Sequence, residues 1–328
     1  MSNTSPGNAR RQVVAVTGAS GNIGTALLRR LVPDPRVGEV RAIARRPPDE
    51  ARPEVRWIAA DITADDLAEA FDGVDAVVHL AWRIQPSWDV AAMERVNVEG
   101  SRRVFEVAAR AGAAIVHASS VGAYGPGPQD RLVDESWPLG GHPGHPYSLQ
   151  KARVEGLLDV VEDAFPGTRV VRMRPGLVFQ RAAGQEVRRY FLPRHTPGFL
   201  LQPALVQQLP VRFQAVHADD VAAAFAEAAL GDRHGAFNVA TTDPIGRPTV
   251  GALEHLARPL AALSWRAHLQ PVDPGWVRLV FRCPLIDPAR AQAELHWRPA
   301  HSGAEALAEG LRAMAEPPAP ASDALAAH

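Results

Sequence analysis

Gln12-Val13-Val14-Ala15-Val16-Thr17-Gly18-Ala19-Ser20-Gly21-Asn22-Ile23-Gly24 decides the fold of this 328-residue chain. A short apolar run over Gln12–Val16 reads as a buried strand. A turn with glycines spaced G-x-x-G-x-x-G follows, then a helix over Ile23–Leu31 that Pro33 and Pro35 stop. Glycine permits the positive φ of a tight turn and lets a pyrophosphate approach the backbone. The helix behind it offers free N–H groups and a partial positive charge to phosphate. The spacing departs from the G-x-G-x-x-G dinucleotide fingerprint, so the strand–turn–helix context carries the reading. Gly18, Ser20, Gly21, Asn22, Ile23 and Gly24 are the expected cofactor loop.

Outward from this loop, short apolar runs alternate with helical stretches. Strands are expected at 40–44, 55–59, 76–80, 114–118 and 169–173, and helices at 64–71, 89–111 and 147–165. This alternation indicates βαβ units in a doubly wound parallel α/β sheet of Rossmann type. Beyond Arg174 the pattern loosens, with Pro193, Pro197, Pro203 and Pro210. A strand is expected at 211–216, a helix at 219–230 capped by Asp219, and a strand at 237–240. Helices are expected near 249–262, 288–295 and 303–314. The organisation read from this is a flexible tail (1–11), a dinucleotide-binding domain (12–175, with 211–240 returning to it), a small substrate-capping region (176–210 and 241–315) and a disordered tail (316–328).

Composition excludes several classes. Lys+Arg is 35 against 36 Asp+Glu, a net charge of -1, so no global positive charge draws nucleic acid or an anionic membrane. A single cysteine, Cys283, forms no internal disulfide and reads as core filler. His79, His117 and His217 lack metal-ligand spacing, so no metal is expected. No apolar run is long enough to span a bilayer. The Ser/Asn/Gly-rich start does not follow the pattern of a secretory signal, which points to the cytoplasm.

Two arginines, Arg45 and Arg46, follow the second strand, where NAD-preferring proteins carry an acidic residue for the ribose 2′-hydroxyl. Guanidinium groups suit a 2′-phosphate, so NADP is the expected cofactor, with NAD possible. Asp61, after the third strand, either accepts from an adenine amino group or caps the next helix.

Of the 35 basic residues, 34 are Arg; the one Lys is Lys151, in Tyr147-Ser148-Leu149-Gln150-Lys151. At i, i+4 both side chains share a helix face. An ammonium beside a phenol favours phenolate, and a tuned tyrosine moves protons at neutral pH. Ser119-Ser120 stand at the carboxyl end of the strand at 114–118, where ligands bind in open α/β sheets. A hydroxyl there can bond a substrate oxygen, or cap a turn. Trp82 and Trp88 flank a loop that either touches substrate or packs.

Taken in order, Thr17–Gly24, Asp61-Ile62, His79-Leu80-Ala81, Asn97-Val98-Glu99-Gly100, Ser119-Ser120 with Tyr124-Gly125, Tyr147-x-x-x-Lys151, Arg174-Pro175 and His217-Ala218-Asp219-Asp220 resemble the extended short-chain dehydrogenase/reductase family, also called the NAD-dependent epimerase/dehydratase family. The resemblance implies that Ser120 is the catalytic hydroxyl, Tyr147 the general acid/base, and Lys151 the residue that holds the nicotinamide ribose and tunes Tyr147. It places Ser119 and Pro175-Gly176-Leu177-Val178 at the nicotinamide end. It places Leu80, Ala81 and Trp82 along the cofactor groove, Asp61-Ile62 near the adenine, and Asn97 in a proton relay or a structural role. It also implies a homodimer. Two departures matter. Val121-Gly122 replace the Asp-Glu pair of sugar-nucleotide dehydratases, and Leu177 replaces an Asn common in sugar-nucleotide epimerases. The leading expectation is therefore an NADP-dependent oxidoreductase acting on a carbonyl or secondary alcohol of a small organic substrate. A sugar-nucleotide epimerase with NAD is the alternative, and a non-catalytic dinucleotide sensor comes third.

Overall fold

The computed structural model describes residues 10–48, 54–84, 89–192, 196–248, 251–267 and 273–316. β1 (Gln12–Thr17) has Val14, Ala15 and Val16 fully buried, so both of its faces are covered. It lies inside a seven-stranded parallel sheet with β2 (Val37–Ala44), β3 (Val55–Ala59), β4 (Ala76–His79), β5 (Ala114–Ala118), β6 (Val170–Pro175) and β7 (Gly235–Val239). The order is β7-β6-β5-β4-β1-β2-β3. Strands buried on both faces need helices on both sides, the condition for a parallel sheet. α1 (Asn22–Leu31) packs with a later helix on one face, where Leu27, Leu31 and Phe225 are buried. The other face is filled by Phe105, Ile115 and Leu158.

β1 pairs with β2 on one side and β4 on the other, so the connection reverses at the ends of β1 and β4. Such a switch point opens a crevice at the carboxyl edge. There Gly18 has φ +69°, and a Cβ on it would lie 2.6 Å from the Ala81 nitrogen. Only glycine lets these two loops approach this closely.

The long helix expected over 89–111 is interrupted. α2 (Val90–Glu94) passes through a π-helical turn at Arg95–Gly100 into α3 (Ser101–Arg110). π turns of this sort often mark functional segments. α4 (Pro146–Ala164) carries Tyr147 and Lys151 in its first turns.

Beyond β6, Leu177–Phe179 pairs with Ala215–His217 in a separate parallel ribbon, so the strand expected at 211–216 does not enter the main sheet. α5 (Ala218–Leu230) is capped by His217, whose Nδ1 accepts from the Asp219 N–H, rather than by Asp219. Asp219 instead pairs with Arg29, and Asp220 accepts from the Ala300 and His301 N–H groups. α6 (Gly251–Arg266), α7 (Gly275–Arg282) and α8 (Gly303–Ala315) complete the C-terminal part. α8 packs on the ribbon, with Phe179, Ala215, Leu307 and Leu311 buried between them. Trp88, Pro193 and the terminal residues 1–9 and 317–328 lie outside the described residues.

Candidate active site

The Gly-rich loop ends at Gly21, the N-cap of α1, and no side chain bonds there to cap the helix. The first turn thus lacks the usual side-chain acceptor, as a phosphate-binding helix requires. A Cβ on Gly24 would collide with the Gly18 carbonyl, while one on Gly21 would meet only the Gly18 oxygen, at 3.4 Å. The loop is tight inside and open outside, which fits a nucleotide diphosphate. The Asn22 side chain donates to the Val178 carbonyl at 3.1 Å and accepts from Gln180 at 2.9 Å. That pair of bonds brings the 175–178 segment to the loop. Ile23 and Gly24 follow in the first turn of α1, and Ser20 is buried.

Arg45 and Arg46 are exposed just past β2, at the same edge. Asp61 accepts from the Thr63 N–H at 2.8 Å and its hydroxyl at 2.6 Å, so it caps a turn. Burial pushes its carboxyl up, but the Thr63 bonds and the Arg45 and Arg103 charges outweigh this and hold it below the ordinary value. Ile62 is buried against Gly100 of the π turn, where a Cβ would lie 2.8 Å from its Cδ1.

Ser120 and Tyr147 meet at the end of β5. Ser120 Oγ accepts from the Gly122 N–H at 3.0 Å, and both side chains flank Gly122, where a Cβ would lie 3.1 Å from Tyr147 Cε1 and 3.3 Å from Ser120 Oγ. Ser148 locks this geometry. It donates to the Gly122 carbonyl at 2.5 Å and accepts from the His142 N–H at 2.7 Å, which ties the start of α4 to the loop after β5. Burial pushes the Tyr147 phenol up to about 12, against the Ser120 hydroxyl, which lowers it. The phenol is therefore protonated at neutral pH.

Lys151 follows Tyr147 by one turn on α4. Its Nζ donates to the Ala118 carbonyl at 2.6 Å and sits 3.4 Å above the Trp82 ring, 6.0 Å from the centre of the Tyr147 ring. Burial pushes its pKa well below the ordinary lysine value, and the Glu155 charge opposes that. The Ala118 carbonyl and the Trp82 indole hold Nζ in this arrangement. Ser119 is 3% exposed. It donates to Glu155, a carboxylate 1% exposed that makes a two-pronged ion pair with Arg174 at 2.8 and 2.5 Å. Arg174 continues to Tyr124 OH at 2.8 Å, which donates to Asn238. Ser119 therefore belongs to a buried polar network under the site.

Asn97 is fully buried. It donates to the Arg83 carbonyl and Gln150 and accepts from the Arg83 N–H at 2.7 Å, so it holds the groove loop to α4. Leu80, Ala81 and Trp82 follow β4 into that loop, and Leu80 N–H donates to the Thr17 carbonyl. Pro175 is buried, Gly176 N–H bonds the Val239 carbonyl, and Leu177 is 44% exposed.

Three residues absent from the sequence reading line the site. His145, Asp273 and Trp276 border a cavity of about 20 Å³ beside Tyr147. The signal for His145 was its place, two residues before Tyr147 in a Gly/His/Pro-rich run. Asp273 and Trp276 carried no local signal. Among the described residues no cluster of side chains could hold a metal ion, and no helix is long and apolar enough to cross a membrane.

The model of the NAD dependent epimerase/dehydratase family matches residues 14–240. Sterol demethylase protein B of Methylococcus capsulatus is 34% identical over 172 residues, 50% of each chain, so this chain aligns with about half that relative's length. L-arabinose 1-dehydrogenase (NAD(P)(+)) of Haloferax volcanii is 37% identical over 97 residues, 29% of this chain and 35% of that one. The UDP-glucose 4-epimerase of Thermus thermophilus, solved with NAD, superposes with a TM-score of 0.66 at 24% identity, over 92% of this chain and 99% of the other. That likeness is one of fold. By the span of its family match, this chain belongs to the NAD-dependent epimerase/dehydratase family.

Proposed function

We propose that the chain moves hydride between a bound nicotinamide nucleotide and a secondary alcohol or carbonyl carbon of a small organic substrate. The observation that carries this is the juxtaposition of Ser120 and Tyr147 around Gly122 at the carboxyl edge, the edge that also carries the Gly-rich loop. When bound, the nicotinamide supplies or accepts the hydride. Ser120 orients the substrate oxygen, and Tyr147, protonated at neutral pH, gives it the proton as charge builds there. Lys151 would leave Trp82 to bond the nucleotide ribose. The π turn and Asn97 keep the groove loop in register. α4 exposes Leu149 and Val160, at 41% and 62%, which supports pairing with a second copy.

Two net outcomes share this step. Net reduction or oxidation with NADP is supported by the exposed Arg45–Arg46 pair and by Leu177. Epimerisation of a sugar nucleotide with NAD is the second reading, and the likeness to solved sugar-nucleotide epimerases favours it over the first. Tyr147→Phe should lower turnover by about 10²–10⁴-fold and keep nucleotide affinity; normal turnover would sink the assignment. Net NADPH consumption with a carbonyl probe separates the readings from UDP-glucose/UDP-galactose interconversion without net redox change.

A further inference from the structure

His145 closes the loop before α4 and is 1% exposed. Its Nδ1 lies 3.2 Å from Asp273 Oδ2, a contact between residues 128 apart in sequence. A carboxylate only accepts, so Nδ1 carries a hydrogen towards Asp273 and Nε2 is the ring nitrogen left for a further partner. Nε2 is buried and has no hydrogen-bond partner among the described residues. Asp273 is itself held, since the Gly275 N–H donates to its Oδ1 at 2.8 Å and the Trp276 N–H to its main-chain oxygen at 3.1 Å. A Cβ at Gly275 would lie 2.6 Å from both Asp273 Oδ1 and the His145 Cβ, so glycine is what allows this approach. The Trp276 ring is 4.5 Å from His145 and lies nearly parallel to Tyr147, at 6.1 Å and 18°. The cavity of about 20 Å³ between them is closed by Ile84, Val90 and Met93. That volume admits one oxygen-sized group.

We infer that His145, oriented by Asp273, is a substrate-binding residue. Its Nε2 accepts a hydrogen bond from a hydroxyl that the substrate carries beside its reacting carbonyl. Trp276 and the aliphatic wall border the space that takes this hydroxyl. The inference rests on Tyr147 facing the reacting oxygen, as proposed above. A buried acceptor built for a hydroxyl discriminates against the analogue lacking it, because the acceptor is then left unpaired.

The test uses the full chain saturated with NADPH and two probes, acetophenone and 2-hydroxyacetophenone. Dissociation constants come from calorimetry and turnover from NADPH absorbance. The hydroxylated probe should bind about tenfold more tightly, and His145→Phe should erase that preference while Tyr147 stays in place. If His145→Phe does not fold, Asp273→Asn serves, and the preference should fall by at least about threefold. Equal binding of the two probes, no binding of either, or an unchanged preference in the variants overturns the inference; the cavity then holds water alone. Preferential binding without reduction leaves the inference standing and removes the oxidoreductase reading. Reduction of both probes without preference does the reverse.

Discussion

Replacing His117 by Leu isolates the cost of a buried imidazole. His117 sits on β5 at 1% exposure, stacked 5.6 Å from His79 and edge-to-face with Phe105 at 5.3 Å. Both of its ring nitrogens are buried without hydrogen-bond partners among the described residues. Burial, with the Lys151, His79 and Arg172 charges, pushes its pKa well below 6.5, so the folded ring stays neutral. In the unfolded chain the same ring is about one-tenth protonated at pH 7.5 and about nine-tenths at pH 5.5. The unfolded state binds more protons across this window, so stability present above about pH 6.5 is lost as pH falls. From pH 7.5 to 5.5 this one group removes about 1.4 kcal/mol. Leu is close in volume, carries no proton and leaves no unpaired polar atom. Urea unfolding at the two pH values should show the variant at least as stable as the parent at pH 7.5. The variant should also lose about 1.4 kcal/mol less on acidification. An identical acid loss in both proteins would refute the argument. So would a variant weaker by more than about 2 kcal/mol at both pH values, since the ring would then be making bonds worth keeping. His79 gives the contrast. Burial and then Lys151 push it down to about 3, but it bonds Thr17 and Ser101 at 2.7 and 2.9 Å, so His79→Leu should also destabilise at pH 7.5.

Other substitutions test the frame and the loop. Glu155→Gln strands the Arg174 guanidinium in the core and should cost about 3–5 kcal/mol in urea unfolding; a loss below about 1 kcal/mol would mean the network is not stabilising. Gly18→Ala forces a side chain into positive φ and onto the Ala81 backbone, so it should destabilise by about 1–3 kcal/mol and abolish nucleotide binding. Charge reversal, Arg45→Glu with Arg46→Glu, should weaken NADPH relative to NADH by at least about tenfold in fluorescence titration, and an unchanged ratio would remove the 2′-phosphate role.

Much of the molecule follows from short stretches read alone. The run 12–24 dictates strand, turn and helix because glycine spacing and apolar periodicity are local properties. The parallel sheet follows from repeating that unit. Tyr147 and Lys151 stand one helical turn apart, so sequence spacing alone places them on one face. Boundaries were less legible. β2 begins at Val37 rather than Val40, and the helix expected at 64–71 is reduced to Ala68–Phe71. The π turn at Arg95–Gly100 was hidden, because its extra residue is set by Asn97 bonding Arg83 and Gln150, partners 14 and 53 positions away.

The sequence by itself therefore determined the nucleotide loop, the sheet and the Tyr147–Lys151 face, all of which depend on neighbours within a few residues. Tertiary structure alone decided where charge and hydrogen bonds settle. Lys151 turns to Ala118 and Trp82 because the two strand ends converge there. Ser119 turns to Glu155 because Arg174 holds that carboxylate from the next strand. Asp273 reaches His145 across 128 residues because Gly275 lets α7 close on the start of α4. Each of these pairings depends on burial and distance in three dimensions, which local pattern does not encode.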